Sequence, residues 1–340
     1  LKVSNSPTNG YFLSAQSGNT GGLTWAAVSS TPGSGTVTAA MIASGLQLVT
    51  TDGQNNTVVG TNAGDSFTGT DAQSNTLIGY DAGTAITTGD NNVAVGRQSL
   101  AANTTADDNT ALGHSALFAN TTGANNTAVG RAALVANTTG ATNTAVGAFA
   151  LDANTTGADL VALGAYALTK NTTGVRNTAI GRATLEETTT QSDNTAVGHH
   201  SLLSNTASYN TAVGSYSLKT NTTGAENTAL GYEALDANTT GGYNVAVGHL
   251  ALTANTTAND NVAIGVNAMG ANTTGASNTA IGRGALDVNT TGINNVAVGY
   301  EALDANTTAN NNTAVGYASL GANTTGGALV AVGAYCLDAN

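Results

Sequence analysis

The amino-acid sequence predicts an all-β fold, a parallel β-solenoid or β-roll wound in seventeen-residue coils, on three observations. The unit Asn-Thr-Val-Val-Gly at Asn56–Gly60 recurs with small variations through Leu329–Gly333, seventeen copies in all. From Asn92 the copies stand seventeen residues apart, except for one sixteen-residue step between Asn194 and Asn210. Gly closes the unit every time. A fixed period of this length marks an architecture in which each unit buries its apolar side against the next.

Numbered from the Asn, the coil reads N-[TV]-A-[VIL]-G-x-x-A-L-x-A-N-T-T-G-x-x. In Val93-Ala94-Val95 the period-two alternation predicts a short strand. The ninth column, Leu100, Leu117, Leu134 and onward, reads as a second short strand whose side chain meets the first inside the coil. Val95, Leu100, Val129, Leu134, Val146 and Leu151 are therefore expected inside, and Asp152, Glu233, Asp236 and Glu301 outside. The invariant Gly of column five implies positive φ or close backbone approach. Asn-Thr-Thr-Gly, as at Asn120–Gly123, reads as a second corner that Asn caps and that its tolerance of left-handed backbone favours. A helix over Ala-Leu-x-Ala is excluded by length, since only about six residues separate the corners. Both prolines, Pro7 and Pro32, precede the coils, where no ladder needs their missing N–H.

Composition narrows the function. Charged residues make up 8%, aromatics 4%, and the net charge is −12 with only eight Lys and Arg, which excludes a basic nucleic-acid surface. No apolar run is long enough for a membrane helix, and one cysteine, Cys336, leaves no intrachain disulfide framework. Residues 1–28, which hold the only Trp, Trp25, read as a small β-element, 29–55 as linker and lead-in, and 56–340 as the solenoid.

Two resemblances rest on these residues. Asn91-Asn92-Val93-Ala94-Val95-Gly96 is similar to the Asn-Ser-Val-Ala-Ile-Gly unit of YadA-type heads in trimeric autotransporter adhesins. That resemblance spans Asn56 to Asn340, departs from the family in its longer coil, and implies three parallel β-rolls side by side about one axis. Ser6-Pro7-Thr8-Asn9-Gly10-Tyr11-Phe12-Leu13, followed by Gly21-Gly22-Leu23-Thr24-Trp25, resembles segments of marine bacteriophage tail-fibre proteins, many of which carry Asn-Thr-Ala-Val-Gly arrays. Together they imply a homotrimeric tail-fibre shaft on the virion, partnered by itself and by other tail proteins. The alternative is the head or stalk of a bacterial trimeric adhesin at the cell surface. The chain closes at Asn340 partway through a coil, so the tip that meets the host surface is expected outside it. No nucleic-acid partner and no membrane insertion are expected.

Chemistry was sought in the same columns. His114, His199 and His249 share column six with Arg131, Arg182 and Arg283, and His200 follows His199. Solvent-facing variation is the expectation, against a metal ion held by three copies of one His on a trimer axis. Asp236, Asp287 and Asp304 stand singly in column ten. Asp107-Asp108 and Glu186-Glu187 sit at turns, where a weak calcium site is the minor alternative. The Asn-Thr-Thr corners are formal glycosylation acceptors, read here as turn chemistry. An ice-binding threonine face is disfavoured because Thr121 and Thr122 are adjacent. No catalytic, cofactor or metal residue is assigned, and with no long insertion to form a cleft, no enzyme activity is expected.

Overall fold

The computed structural model describes residues 11–14, 24–27, 54–67 and 71–338. Strands β1 (Tyr11–Ser14) and β2 (Thr24–Ala27) pair antiparallel, with Tyr11 opposite Ala27 and Leu13 opposite Trp25. Of the 29–55 lead-in, all but Gln54 and Asn55 lies outside the described residues. Seventeen three-residue strands follow, one per coil, from β3 (Thr57–Val59) to β19 (Val330–Val332), and no helix occurs among the described residues. Each strand pairs in parallel with the next in constant register, Ala111 opposite Ala128 and Ala128 opposite Ala145. β3 pairs only with β4 (Thr76–Ile78), and β19 only with β18 (Thr313–Val315), so the sheet is an open ladder with two ends. The parallel solenoid is the fold that the repeat predicts.

The direction of the strand's side chains corrects the sequence reading. Ala of column three is fully buried in coil after coil, as at Ala94, Ala111 and Ala128, whereas Val95 and Val129 are only half-buried and Val146 is 37% exposed. The expected Leu100, Leu134 and Leu151 are buried. The physical reason is room. One Leu from the opposite wall fills the narrow interior, which leaves space for a methyl but not for an isopropyl group. The first two coils demonstrate the trade. There Leu is replaced by Gly64 and Gly83, and column three supplies the bulk as Val58 and Leu77. A Cβ on Gly83 would lie 2.7 Å from Leu77 Cδ2.

The Leu segment is likewise not a strand. It is a run of turns whose amides still bond from coil to coil, Leu100 N–H to Ala116 O at 2.9 Å and Ala102 N–H to Phe118 O at 3.0 Å. The Leu residues themselves are left-handed, as at Leu100 (φ 53°) and Leu218 (φ 50°), a conformation that costs a non-glycine residue roughly 1–2 kcal/mol. Columns seven and seventeen are left-handed as well, for example Gln98 (φ 58°) and Asn91 (φ 59°). Column seventeen accordingly favours Asn and Asp, which tolerate that region. The Gly of column five satisfies both readings of its invariance. Gly130 has φ 135°, and a Cβ there would come closer than 3 Å to the carbonyl of Gly147 above it.

Asparagine completes the interior with two buried ladders. In column one, Asn126 Oδ1 accepts the backbone N–H of Asn143 at 3.0 Å, while Asn126 Nδ2 donates to Gly140 O at 2.9 Å. In column twelve, Asn137 Nδ2 donates to Asn120 Oδ1 at 2.8 Å and to Gly140 O at 2.9 Å. Asn120 thus caps its own turn as expected, through Gly123 O at 2.9 Å, but the left-handed residue lies at column seventeen instead. Where Thr188 interrupts the second ladder, Asn171 Oδ1 is left buried with no hydrogen-bond partner. The sixteen-residue coil loses its residue at this same corner. Asn205 Nδ2 reaches Ala207 O two residues on, at 2.7 Å, and the strands on either side keep register, Ala196 opposite Ala212.

Two substitutions test this account by denaturant unfolding. Asn126→Ala strands the buried N–H of Asn143, while Gly140 O keeps its bond from Asn137 Nδ2, and should cost about 1–3 kcal/mol. Ala132→Gly, at a left-handed position (φ 55°), should stabilise by about 0.5–1 kcal/mol, the relieved strain less the added chain entropy. Loss of stability in the second variant would contradict the strain assignment.

Candidate functional site

Three outer surfaces follow from the coil. The first is the outer face of the sheet, made by columns two and four. Column two is Thr or Val in all seventeen coils and column four is Val, Ile or Leu in all seventeen. Exposure along column four reaches 46% at Leu112 and 47% at Leu230. The result is an uncharged aliphatic strip running the length of the solenoid, about 80 Å at the usual strand spacing.

The second surface is the edge beyond the invariant Gly, columns six and seven. It carries all four histidines, four of the five arginines and eight of the fifteen aromatic residues. Because equivalent residues stack coil on coil, rings meet there. Phe149 lies over Tyr166 at 5.5 Å, Tyr232 over His249 at 5.5 Å and Tyr300 over Tyr317 at 5.2 Å, each nearly parallel. Guanidinium groups extend the stacks, Arg97 over Tyr80 at 5.9 Å, Arg131 over Phe149 at 5.1 Å and Arg283 over Tyr300 at 5.6 Å. His199 and His200 stack at 3.8 Å, with Tyr216 edge-on to both and Arg182 Nη1 3.5 Å from His199 Nε2. Burial, with His199, Arg182 and Lys219 nearby, holds the His200 pKa below its ordinary value.

The third surface is the Asn-Thr-Thr corner. Thr121 Oγ1 donates to Thr138 O at 3.0 Å, and only Thr122 is exposed. Each Asn of the corner is enclosed, as at Asn120 and Asn137, so the formal glycosylation acceptors are spent on the ladder.

The sequence-predicted candidates do not converge. His114, His199 and His249 lie on the outer edge, spread along it. Among the described residues no group of three or more His, Cys, Asp or Glu is placed to hold a metal ion. Asp107 accepts the amide of Asp90 at 2.8 Å, and Glu187 pairs with Lys170 at 2.6 Å. Asp152 and Asp236 of column ten and Glu233 and Glu301 of column seven, expected outside, are half-buried, because each lies against the neighbouring coil rather than clear of it. Burial raises the pKa of Asp236, Asp287 and Asp304, and Glu301 and Asp287 add to the shift at Asp304. A 290 Å³ depression near the end of the solenoid is lined by Glu301, Asp304, Ala318, Gly321, Ala322 and Asp338. Sequence reasoning treated columns six and seven as mixed surface and missed the stacking. The signal was present as ring or Arg residues recurring at i and i+17.

No protein-family model matches the chain, and no curated protein or solved structure is significantly similar to it. Among the described residues no helix is long and apolar enough to cross a membrane.

Asp236 supplies a pH test. One of its carboxylate oxygens is buried without a hydrogen-bond partner. Its pKa is raised on folding, so its contribution to stability is complete below the unfolded value and is lost as pH rises through the folded one. Asp236→Asn should therefore raise the melting temperature at pH 7, with the gain shrinking as pH falls toward the ordinary carboxylate range. An equal gain at both pH values would show that the charge is not the cause.

Proposed function

We propose that the chain is a structural shaft of a phage tail fibre, three copies side by side, holding a receptor-binding tip carried elsewhere away from the virion. Its partners in this reading are its own copies and neighbouring tail proteins, and its role is mechanical rather than enzymatic. The observation that carries the association is the aliphatic strip of column four. Seventeen Val, Ile or Leu side chains in line, ten exposed and seven half-buried, flanked by Thr and Val, make a contiguous apolar surface far longer than an isolated soluble chain ordinarily leaves uncovered. A second copy is the partner whose side chains repeat at the same spacing, so it alone matches the strip rung for rung. The Ala column, as at Ala111 and Ala128, is inside the coil and offers a neighbouring chain nothing, so the Val/Ile/Leu column carries the contact.

Light scattering during size-exclusion chromatography tests this. Three chains of 33.2 kDa should elute at about 100 kDa. Ile180→Lys combined with Ile281→Lys, both at exposed positions, should reduce the particle to single chains while the circular dichroism of the coil persists. A monomeric wild-type chain, or a trimer indifferent to both lysines, would overturn the association. By contrast Ala128→Glu should unfold the coil in any oligomeric state, because its site is fully enclosed.

A further inference from the structure

The edge of columns six and seven holds a chemistry that the fold does not require. Folding asks of these columns only that they leave the invariant Gly and tolerate a left-handed backbone at the second position, and alanine meets that demand at Ala132 and Ala183. Yet rings and guanidinium groups gather here. The edge carries four arginines against three acidic residues, Asp81, Glu233 and Glu301, yet the two signs do not pair there. In a chain with twenty acidic residues, the only ion pairs among the described residues are Lys170–Glu187 and Arg176–Asp193, neither on this edge. Among the described residues, Arg97, Arg131, Arg182 and Arg283 form no ion pair. Three of them rest on aromatic rings, and the fourth lies beside the His199–His200 pair.

We propose that this edge binds an acidic polysaccharide laid along the solenoid axis. Sugar rings present C–H faces that pack on Tyr, Phe and His, and their carboxylate or sulfate groups meet the unpaired guanidinium groups, which remain charged at any working pH. The repeat supplies the geometry: one pair of side chains per coil, about 4.8 Å apart, suits an extended chain whose units recur at a comparable rise. Charge density separates this ligand from a nucleic acid. Arg97 and Arg131 are two coils apart, and Arg182 and Arg283 six, or about 10 and 29 Å at the usual strand spacing. A nucleic acid places a phosphate on each strand about every 3.4 Å, far denser than this edge can neutralise in a chain of net charge −12. Sparse anions on a ring-rich polymer fit it better. The proposal does not depend on the fibre reading, since single chains and trimers both carry the edge.

Fluorescence anisotropy of a labelled hyaluronan oligomer, whose carboxylates stand on alternate sugars, titrated with the full chain at low ionic strength, tests the proposal. Binding should weaken at least tenfold when Arg97, Arg131, Arg182 and Arg283 are all replaced by Gln. It should also weaken severalfold with Tyr232→Ala and Tyr317→Ala together, both exposed positions. Replacing the four arginines by Lys keeps the charge but not the planar group, and should restore only part of the affinity. Unlabelled dextran, a neutral polymer, should not compete. Unchanged circular dichroism and melting of each variant would establish that the coil is intact. Absence of hyaluronan binding, binding indifferent to the Arg and Tyr substitutions, or displacement of hyaluronan by oligo(dT) at lower concentrations than by hyaluronan itself would each overturn the proposal.

Discussion

The structure depends on one constraint: the coils stack in constant register, and most of their hydrogen bonds run to the coil above or the coil below. Each residue therefore stacks on residues of its own column, and a column is usable only if its side chain tolerates copies of itself at strand spacing. Glycine tolerates this where the carbonyl of the next coil comes closest. Asparagine turns it to advantage. Its amide carries both a donor and an acceptor, so a buried column of Asn satisfies itself indefinitely, a side-chain counterpart of the sheet ladder. Alanine in column three and Leu in column nine divide the interior between a small and a large group, with nothing left for a third. Charged columns obey the same rule from the other side. Lys170–Glu187 and Arg176–Asp193 set opposite charges on successive coils.

Departures from the consensus show how local the compensation is. The exchange of Gly83 for Leu and Leu77 for Ala moves the large group to the other wall, and in the same coil Ile86 is buried where other coils place the corner Asn. The one-residue deletion before Asn210 falls in the Asn-Thr-Thr corner, where side-chain capping rather than sheet pairing closes the chain, and the strands keep register across it. Thr188 is the less complete repair. Its hydroxyl reaches Asn205 O at 3.0 Å, but it cannot donate downward to Asn171. A solenoid whose units contact only their neighbours confines such faults to one or two coils.

The period, the invariant Gly and the closed Leu column were legible in the sequence because each recurs over many coils, the Gly without exception and the Leu interrupted only at Gly64, Gly83 and Met269. The phase of the strand was not. Three residues alternating large, small, large fit two placements, and the general rule that large side chains go inside favours the wrong one. What decided it was volume supplied by a residue six positions after the strand's central one, as Leu100 is to Ala94. That is a tertiary quantity, visible in the sequence only through the paired exchange at Leu77 and Gly83. The left-handed Leu was equally hidden, since nothing in its propensities suggests φ near 53°. The buried role of Asn was masked by the usual expectation that amides belong at the surface of turns.

The two long outer surfaces differ in a way that bears on what each meets. The sheet face is nearly monotonous, confined to Thr and Val in one column and to Val, Ile and Leu in the other across all seventeen coils. The edge is varied, mixing Tyr, Arg, His, Ala, Ser and Glu at neighbouring coils while keeping its rings and cations together. A surface that packs on another copy of itself must be acceptable opposite every rung at once, so a single odd residue is repeated in each copy at the same level and its cost is multiplied by symmetry. A surface that faces solvent or a heterogeneous polymer carries no such penalty, and its columns are free to diversify. Uniformity on one side and retained diversity on the other are thus two outcomes of one repeat, divided by whether the neighbour is the protein itself.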